Sequence, residues 1–359
     1  MTNFLLYKKL AGTTVPTTTT TTSTTTVPTT TTAPTTTTTP TTTTAPTTTT
    51  APTTTTAPTT TVAPPEEQCG IQSKQDALFS KGPMLRLLQS SDAGQCTLPW
   101  MVSIRGRKTS SSSLTPDQDN TFPYCSGVLV DKQYVLTTAG CVLFANSAGG
   151  GGDPIKNLLL IAGEYDTQNT DYGADYKATE SIFNVADTII HPGYYKTDAT
   201  KFTSSDIYDK TVDRESNNLA LLKLDHPAEF NKCTRKICLP SDNIQQKSDQ
   251  SCTVASWGNN VSDKIGQDLP GKLQTADVTL QPSNIDNLKP LTTTAQFTDN
   301  NNSACLSDNG GMVACKNNNQ RWIINGLINR PEVSFCSPGE KLQVTDVRQA
   351  TAWIKQHIA

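Results

Sequence analysis

At 359 residues the chain is long enough for one large domain with extensions, and its formal net charge of −3, from 29 Lys and Arg against 32 Asp and Glu, excludes the basic character of a nucleic-acid or anionic-membrane binder. No stretch reaches the length of an apolar membrane span. Ten cysteines, with no Cys-x-x-Cys spacing among them, argue against a metal site and for disulfides in an oxidising, extracellular compartment.

Residues 1–12 form a separate N-terminal segment whose short apolar patch, Phe4-Leu5-Leu6, runs into Lys8 and Lys9. That is a poor signal peptide, and an incomplete leader is the expectation. Residues 13–65 are almost wholly Thr, Pro and Ala, with no charge between Lys9 and Glu66 and with prolines 16, 28, 34, 40, 46, 52, 58 and 64 on one six-residue register. Such a tract has too little apolar surface to offset the entropy of ordering, so it reads as a disordered, mucin-like stalk carrying O-linked sugars. Residues 66–86 are a linker holding Cys69, and 87–359 hold the domain. Within it, apolar runs such as Pro99-Trp100-Met101-Val102-Ser103-Ile104, Cys125-Ser126-Gly127-Val128-Leu129-Val130 and Cys252-Thr253-Val254-Ala255-Ser256-Trp257 alternate with Gly, Asn, Asp and Ser punctuation, the pattern of an all-β fold. Trp353-Ile354-Lys355-Gln356-His357-Ile358 has the spacing of a short closing helix. Asn260-Val261-Ser262 and Asn301-Asn302-Ser303 are N-glycosylation sequons.

Three further phrases fix a resemblance. Thr137-Thr138-Ala139-Gly140-Cys141 looks like Thr-Ala-Ala-His-Cys, Asn217-Asn218-Leu219-Ala220-Leu221-Leu222 like Asn-Asp-Ile-Ala-Leu-Leu, and Ser307-Asp308-Asn309-Gly310-Gly311 like Gly-Asp-Ser-Gly-Gly. From about Cys69 to the C terminus the chain resembles the trypsin-like (S1) serine proteases. The resemblance implies a chymotrypsin-like double six-stranded β-barrel with a short C-terminal helix. Ala162-Gly163-Glu164-Tyr165-Asp166 is similar to an insert of arthropod clip-type proteases and their homologues, although the first 68 residues hold no cysteine and therefore no clip domain.

In that frame Gly140, Asn218 and Asn309 stand at the three catalytic positions. Glycine has no side chain to take a proton, and an amide is neither a charge to hold an imidazolium nor a nucleophile. His191, His226 and His357 are the chain's three histidines, and none stands where a general base should. The resemblance thus implies a protease fold without catalytic residues, cofactor or metal. Ser307 replaces a glycine whose N–H serves the oxyanion hole, and Ser303 gives the specificity pocket no carboxylate. Asn329-Arg330-Pro331 replaces Ser-Trp-Gly on the strand that pairs with substrate, where proline removes a donor.

The resemblance also implies the bridges Cys69–Cys238, Cys125–Cys141, Cys252–Cys315 and Cys305–Cys336. Cys96 and Cys233 remain and pair by elimination, a departure from the common pattern. Arg86-Leu87 lies at the spacing of an activation site, with Asp308 as the carboxylate that receives a new N-terminus. The function implied is a secreted, non-catalytic regulator or cofactor of an extracellular proteolytic cascade, akin to arthropod melanisation pathways. Its partners would be serine proteases or their zymogen targets. A stalked adhesion protein is the alternative from another class, and an active endopeptidase the remote one.

Overall fold

Strand β2, Met101–Arg107, is buried along almost its whole length, yet its alternate side chains serve different cores. Val102 and Ile104 join one apolar cluster with Leu129, Leu160, Phe183 and Leu222, while Met101 joins a second with Trp100, Val128, Leu221 and Met312. A strand can be apolar on both faces only where both are covered. Here one face fills a barrel and the other packs against a second barrel.

The computed structural model describes residues 68–72, 91–107, 121–148, 154–167, 179–201, 209, 211–241, 251–258, 271–282, 289–300, 308–329, 339 and 341–359. The stalk, Arg86, Leu87, Asn260, Asn301, Ser303, Ser307, Arg330, Pro331 and the pair Cys305 and Cys336 lie outside them.

The first barrel comprises β2, β3 (Thr121–Asp131), β4 (Tyr134–Thr137), β5 (Leu158–Ala162), β6 (Ser181–Ile190) and β7 (Ala220–Leu224), closed antiparallel in the order β2-β3-β4-β7-β6-β5. The second comprises β8 (Ser251–Ser256), β9 (Gln274–Leu280), β10 (Thr292–Phe297), β11 (Met312–Lys316), β12 (Trp322–Ile328) and β13 (Leu342–Asp346). Its order is β9-β10-β13-β12-β11-β8, closed by the β8–β9 pairing, and the two-residue β1 (Ser91–Asp92) adds to β9. This is the chymotrypsin-like double barrel. The closing helix, here α3, runs Thr351–Ile358 and follows a 3-10 turn in which the Asp346 side chain caps the Arg348 N–H. Two helices join the strands that the sequence marks: α1, Ala139–Ala148, and the single turn α2, Pro154–Asn157.

Four disulfides lie among the described residues, joining Cys69 to Cys238, Cys96 to Cys233, Cys125 to Cys141 and Cys252 to Cys315. The first fastens the segment before the domain. Gly70 donates its N–H to Lys236 O at 2.9 Å and accepts from Trp322 N–H at 3.0 Å, and Arg321 donates to Cys69 O at 3.1 Å.

One polar cluster sits deep in the first barrel's wall. Arg105, Glu164 and Glu180 are all buried, with the Arg105 guanidinium 3.8 Å from Glu164 Oε2 and donating to Thr121 Oγ1 at 3.0 Å. Burial first, then the charge of Glu180 and a hydrogen bond shared with it, raise the Glu164 carboxyl well above the usual carboxylate range, against the pull of Arg105. Two carboxyl groups can share a hydrogen bond only while one keeps its proton. Because the pKa is raised in the fold, the stabilising contribution is complete below the ordinary glutamate value and is lost as pH rises through the raised one. Relative to the parent, Glu164→Gln is expected to gain a few °C in Tm at about pH 8 and nothing at about pH 4. Calorimetry across that range checks this, and a variant-to-parent difference independent of pH would refute it.

Candidate functional site

Three elements bring Gly140, Asn218 and Asn309 together. Gly140 opens α1, Asn218 lies two residues before β7, and Asn309 occupies the turn before β11. A Cβ placed on Gly140 would stand 3.6 Å from Asn309 Nδ2 and 3.7 Å from Asn218 Oδ1. Residues separated by 169 positions along the chain thus converge on one point between the barrels, with Asn218 and Asn309 buried.

Amide hydrogen bonds hold the group. Gly140 N–H donates to Asn218 Oδ1 at 2.9 Å, and Asn218 Nδ2 donates to Asn329 Oδ1 at 2.6 Å. Thr345 Oγ1 donates to Asn218 O at 3.1 Å, and Thr138 Oγ1 donates to Asn309 Oδ1 at 3.1 Å. Every one of these side chains is neutral at any ordinary pH: Gly140, Asn218 and Asn309 themselves bring amides and no imidazole, carboxylate or hydroxyl. The position of Asn329, recognised in the sequence only as the start of a substrate-pairing strand, proves to be part of the cluster. An asparagine there can satisfy Asn218 across the site, and that reciprocity is the signal the residue-by-residue reading passed over.

None of the histidine rings joins the site. His191 packs against Trp353 at 5.0 Å between ring centroids, and His357 packs against the same tryptophan at 4.8 Å. Burial first, then the nearby His357, lower the His191 pKa, so this ring is held neutral. His226 stacks on Phe183 and pairs with the exposed Asp225.

The turn carrying Asn309 is rigidly framed. Gly310 has φ +78°, a left-handed value that favours glycine, and its N–H donates to Ile328 O at 2.9 Å while Ser126 N–H donates to Asn309 O at 3.0 Å. Asp308 is buried at 1 % exposure, and a Cβ on Gly258 would fall 1.7 Å from its Oδ1, so only glycine permits this carboxylate its place. At the rim, Lys289 pairs with Asp213 at 3.3 Å and Glu215 at 2.9 Å, tying the loop before Asn218 to the segment before β10. Such exposed pairs contribute little energy but fix the loop's position.

A family profile described as trypsin matches residues 89–354. The chain is 25% identical over 292 residues to ovochymase-2 of Mus musculus, an alignment covering 76% of this chain and 41% of that protein. It therefore spans less than half the length of that relative.

Proposed function

The chain belongs to the trypsin family, and from that premise we propose that it is a non-catalytic member, acting by protein binding as a secreted regulator or cofactor of an extracellular proteolytic cascade. The observation that carries the reading is the neutral cluster of Gly140, Asn218 and Asn309 at the one point where triad chemistry requires a base, a carboxylate and a nucleophile. Substitution of one triad residue can be compensated by a neighbour, but the hydrogen bonds that hold this group come from amide and hydroxyl side chains and backbone. Ser303, Ser307, Arg330 and Pro331 extend the argument from the sequence, since they replace the residues that would bind and polarise a peptide. Disulfide bridges and the absence, among the described residues, of any helix long and apolar enough to cross a membrane fit a secreted protein. The likeness of Ala162–Asp166 to the arthropod clip-type insert supplies the cascade as context. Affinity capture of the full chain from its native extracellular fluid tests this: recovery of trypsin-family proteases or their zymogen targets supports regulation. Recovery of matrix proteins alone would favour a stalked adhesion protein instead.

Regulation of such a protein by proteolysis would act through the Cys69–Cys238 bridge. A trypsin-like enzyme cutting after Arg86 would free the Leu87 amine, which could pair with the buried Asp308 in a charge-assisted bond. The bridge, together with the Gly70 and Arg321 hydrogen bonds, would keep the upstream piece attached. Limited trypsin digestion is expected to give one band without reductant and two with it, the larger beginning at Leu87. Separate fragments without reductant would exclude the tether, and an uncut Arg86-Leu87 bond under conditions that nick other loops would exclude the switch.

A further inference from the structure

The amides around Gly140 still have hydrogen-bonding capacity, and it faces the space beside the glycine. Asn218 Oδ1 spends one lone pair on the Gly140 N–H, and its amide cannot turn because its Nδ2 is committed to Asn329 Oδ1 at 2.6 Å. Asn309 Oδ1 accepts from the hydroxyl of Thr138 at 3.1 Å, and in this orientation its Nδ2 has no acceptor among the described residues. Among the described residues, its chain neighbours and its own helix backbone aside, the nearest atom to a Cβ built on Gly140 is 3.6 Å away, and the glycine itself is half-buried.

Three polar atoms border the notch, Asn309 Nδ2, Asn218 Oδ1 and, at 3.8 Å, Asn218 Nδ2; with the last spent on Asn329, one acceptor and one donor remain for whatever enters it. A carboxylate would meet Asn309 Nδ2 favourably but turn a lone pair on Asn218 Oδ1. A guanidinium or ammonium would satisfy Asn218 Oδ1 but press N–H against N–H at Asn309. A neutral imidazole carries one N–H and one bare nitrogen on either side of a single ring carbon, and so offers a partner to each. We infer that the notch receives an imidazole ring from outside, the histidine side chain of a partner protein docking beside Gly140, where this chain supplies none. This rests on the reading that the site performs no chemistry of its own, and gives the binding module a specific anchor. With only five ring atoms engaged, the isolated contact is weak, with a dissociation constant on the order of millimolar, and it serves as one fixed point in a larger interface.

The test uses the full chain and free imidazole, followed by saturation-transfer NMR on the imidazole protons, with a peptide-hydrolysis assay on the same samples. Saturation transfer is expected at about pH 8 and should fall at least tenfold by about pH 5, because a protonated ring can no longer accept from Asn309 Nδ2. It should be lost in Gly140→His, which fills the notch from within, and fall at least tenfold in Asn309→Ala. N-Acetylhistidine methylamide should compete with imidazole, whereas acetamide should not, distinguishing a histidine side chain from a side-chain amide. Absence of transfer to the parent protein, transfer independent of pH, or equal competition by acetamide would overturn the proposal while leaving the non-catalytic reading intact. Turnover that appears only when imidazole is added would overturn the non-catalytic reading itself.

Discussion

The purified full chain is expected to hydrolyse peptide and ester substrates no faster than buffer and to take up no fluorophosphonate label at any serine. Removing the nucleophile and base of a triad together costs about six orders of magnitude in turnover, and what remains is due to binding and the oxyanion hole. The resemblance to the family implies that even this remainder is lost, because it aligns Ser307 with an oxyanion glycine and Pro331 with the substrate-pairing strand. The combined substitution Gly140→His, Asn218→Asp and Asn309→Ser is therefore expected to fold but to stay well below ordinary protease activity. The notch has room for the imidazole, and Asn218 already bonds the Gly140 N–H. The remaining obstacle is substrate alignment, worth as much as the triad residues themselves. Labelling of the parent chain above a heat-denatured control would disprove its inactivity. Full turnover by the triple variant would show that Ser307 and Pro331 leave the cleft intact.

Short phrases with fixed internal order made most of this architecture legible. Thr137–Cys141, Asn217–Leu222 and Ser307–Gly311 are local signatures whose residues are contiguous, so their meeting in space follows once the fold is assigned. The two-sided burial of β2 and β7 was only partly legible, because Ser103, Arg105 and Lys223 interrupt their apolar runs, and alternation alone could not say that Leu221 and Leu222 belong to different cores. What could not be read were partnerships between distant residues of ordinary type. Arg105, Glu164 and Glu180 lie on separate segments, and nothing about a single glutamate announces that it will be buried beside another. Asn329 is similar: its amide acquires meaning only when Asn218 is placed opposite it. Helix α1 was missed for a local reason, because Ala139-Gly140-Cys141 was read for its catalytic register and not for the helix that follows.

Gly310→Ala is expected to be the most damaging single substitution in the site, and Gly140→Ala nearly silent, although the two glycines belong to the same cluster. At Gly310 the added Cβ would fall 2.0 Å from Ser126 O and 2.8 Å from Thr137 Oγ1, on a backbone already at φ +78°. Neither neighbour can retreat, since Ser126 O accepts from Thr137 Oγ1 at 2.8 Å and Ser126 N–H donates to Asn309 O. The same turn donates Gly310 N–H to Ile328 O, so it binds strand β3 of the first barrel to strand β12 of the second. Strain in the left-handed region, a backbone clash and lost hydrogen bonds together place the cost at about 4 kcal/mol or more, and the fall in Tm at roughly 10 °C. At Gly140, by contrast, the Cβ meets nothing nearer than 3.6 Å, and alanine is the better residue in a helix by up to about 1 kcal/mol. Thermal melts of the two secreted variants decide the matter, with failed secretion of Gly310→Ala counting as the expected result and an unchanged Tm as its refutation. The turn that presents residue 309 is needed to join the barrels whatever residue 309 can do, so the scaffold of the site and its chemistry are separable, and a chain can forgo the second while depending on the first.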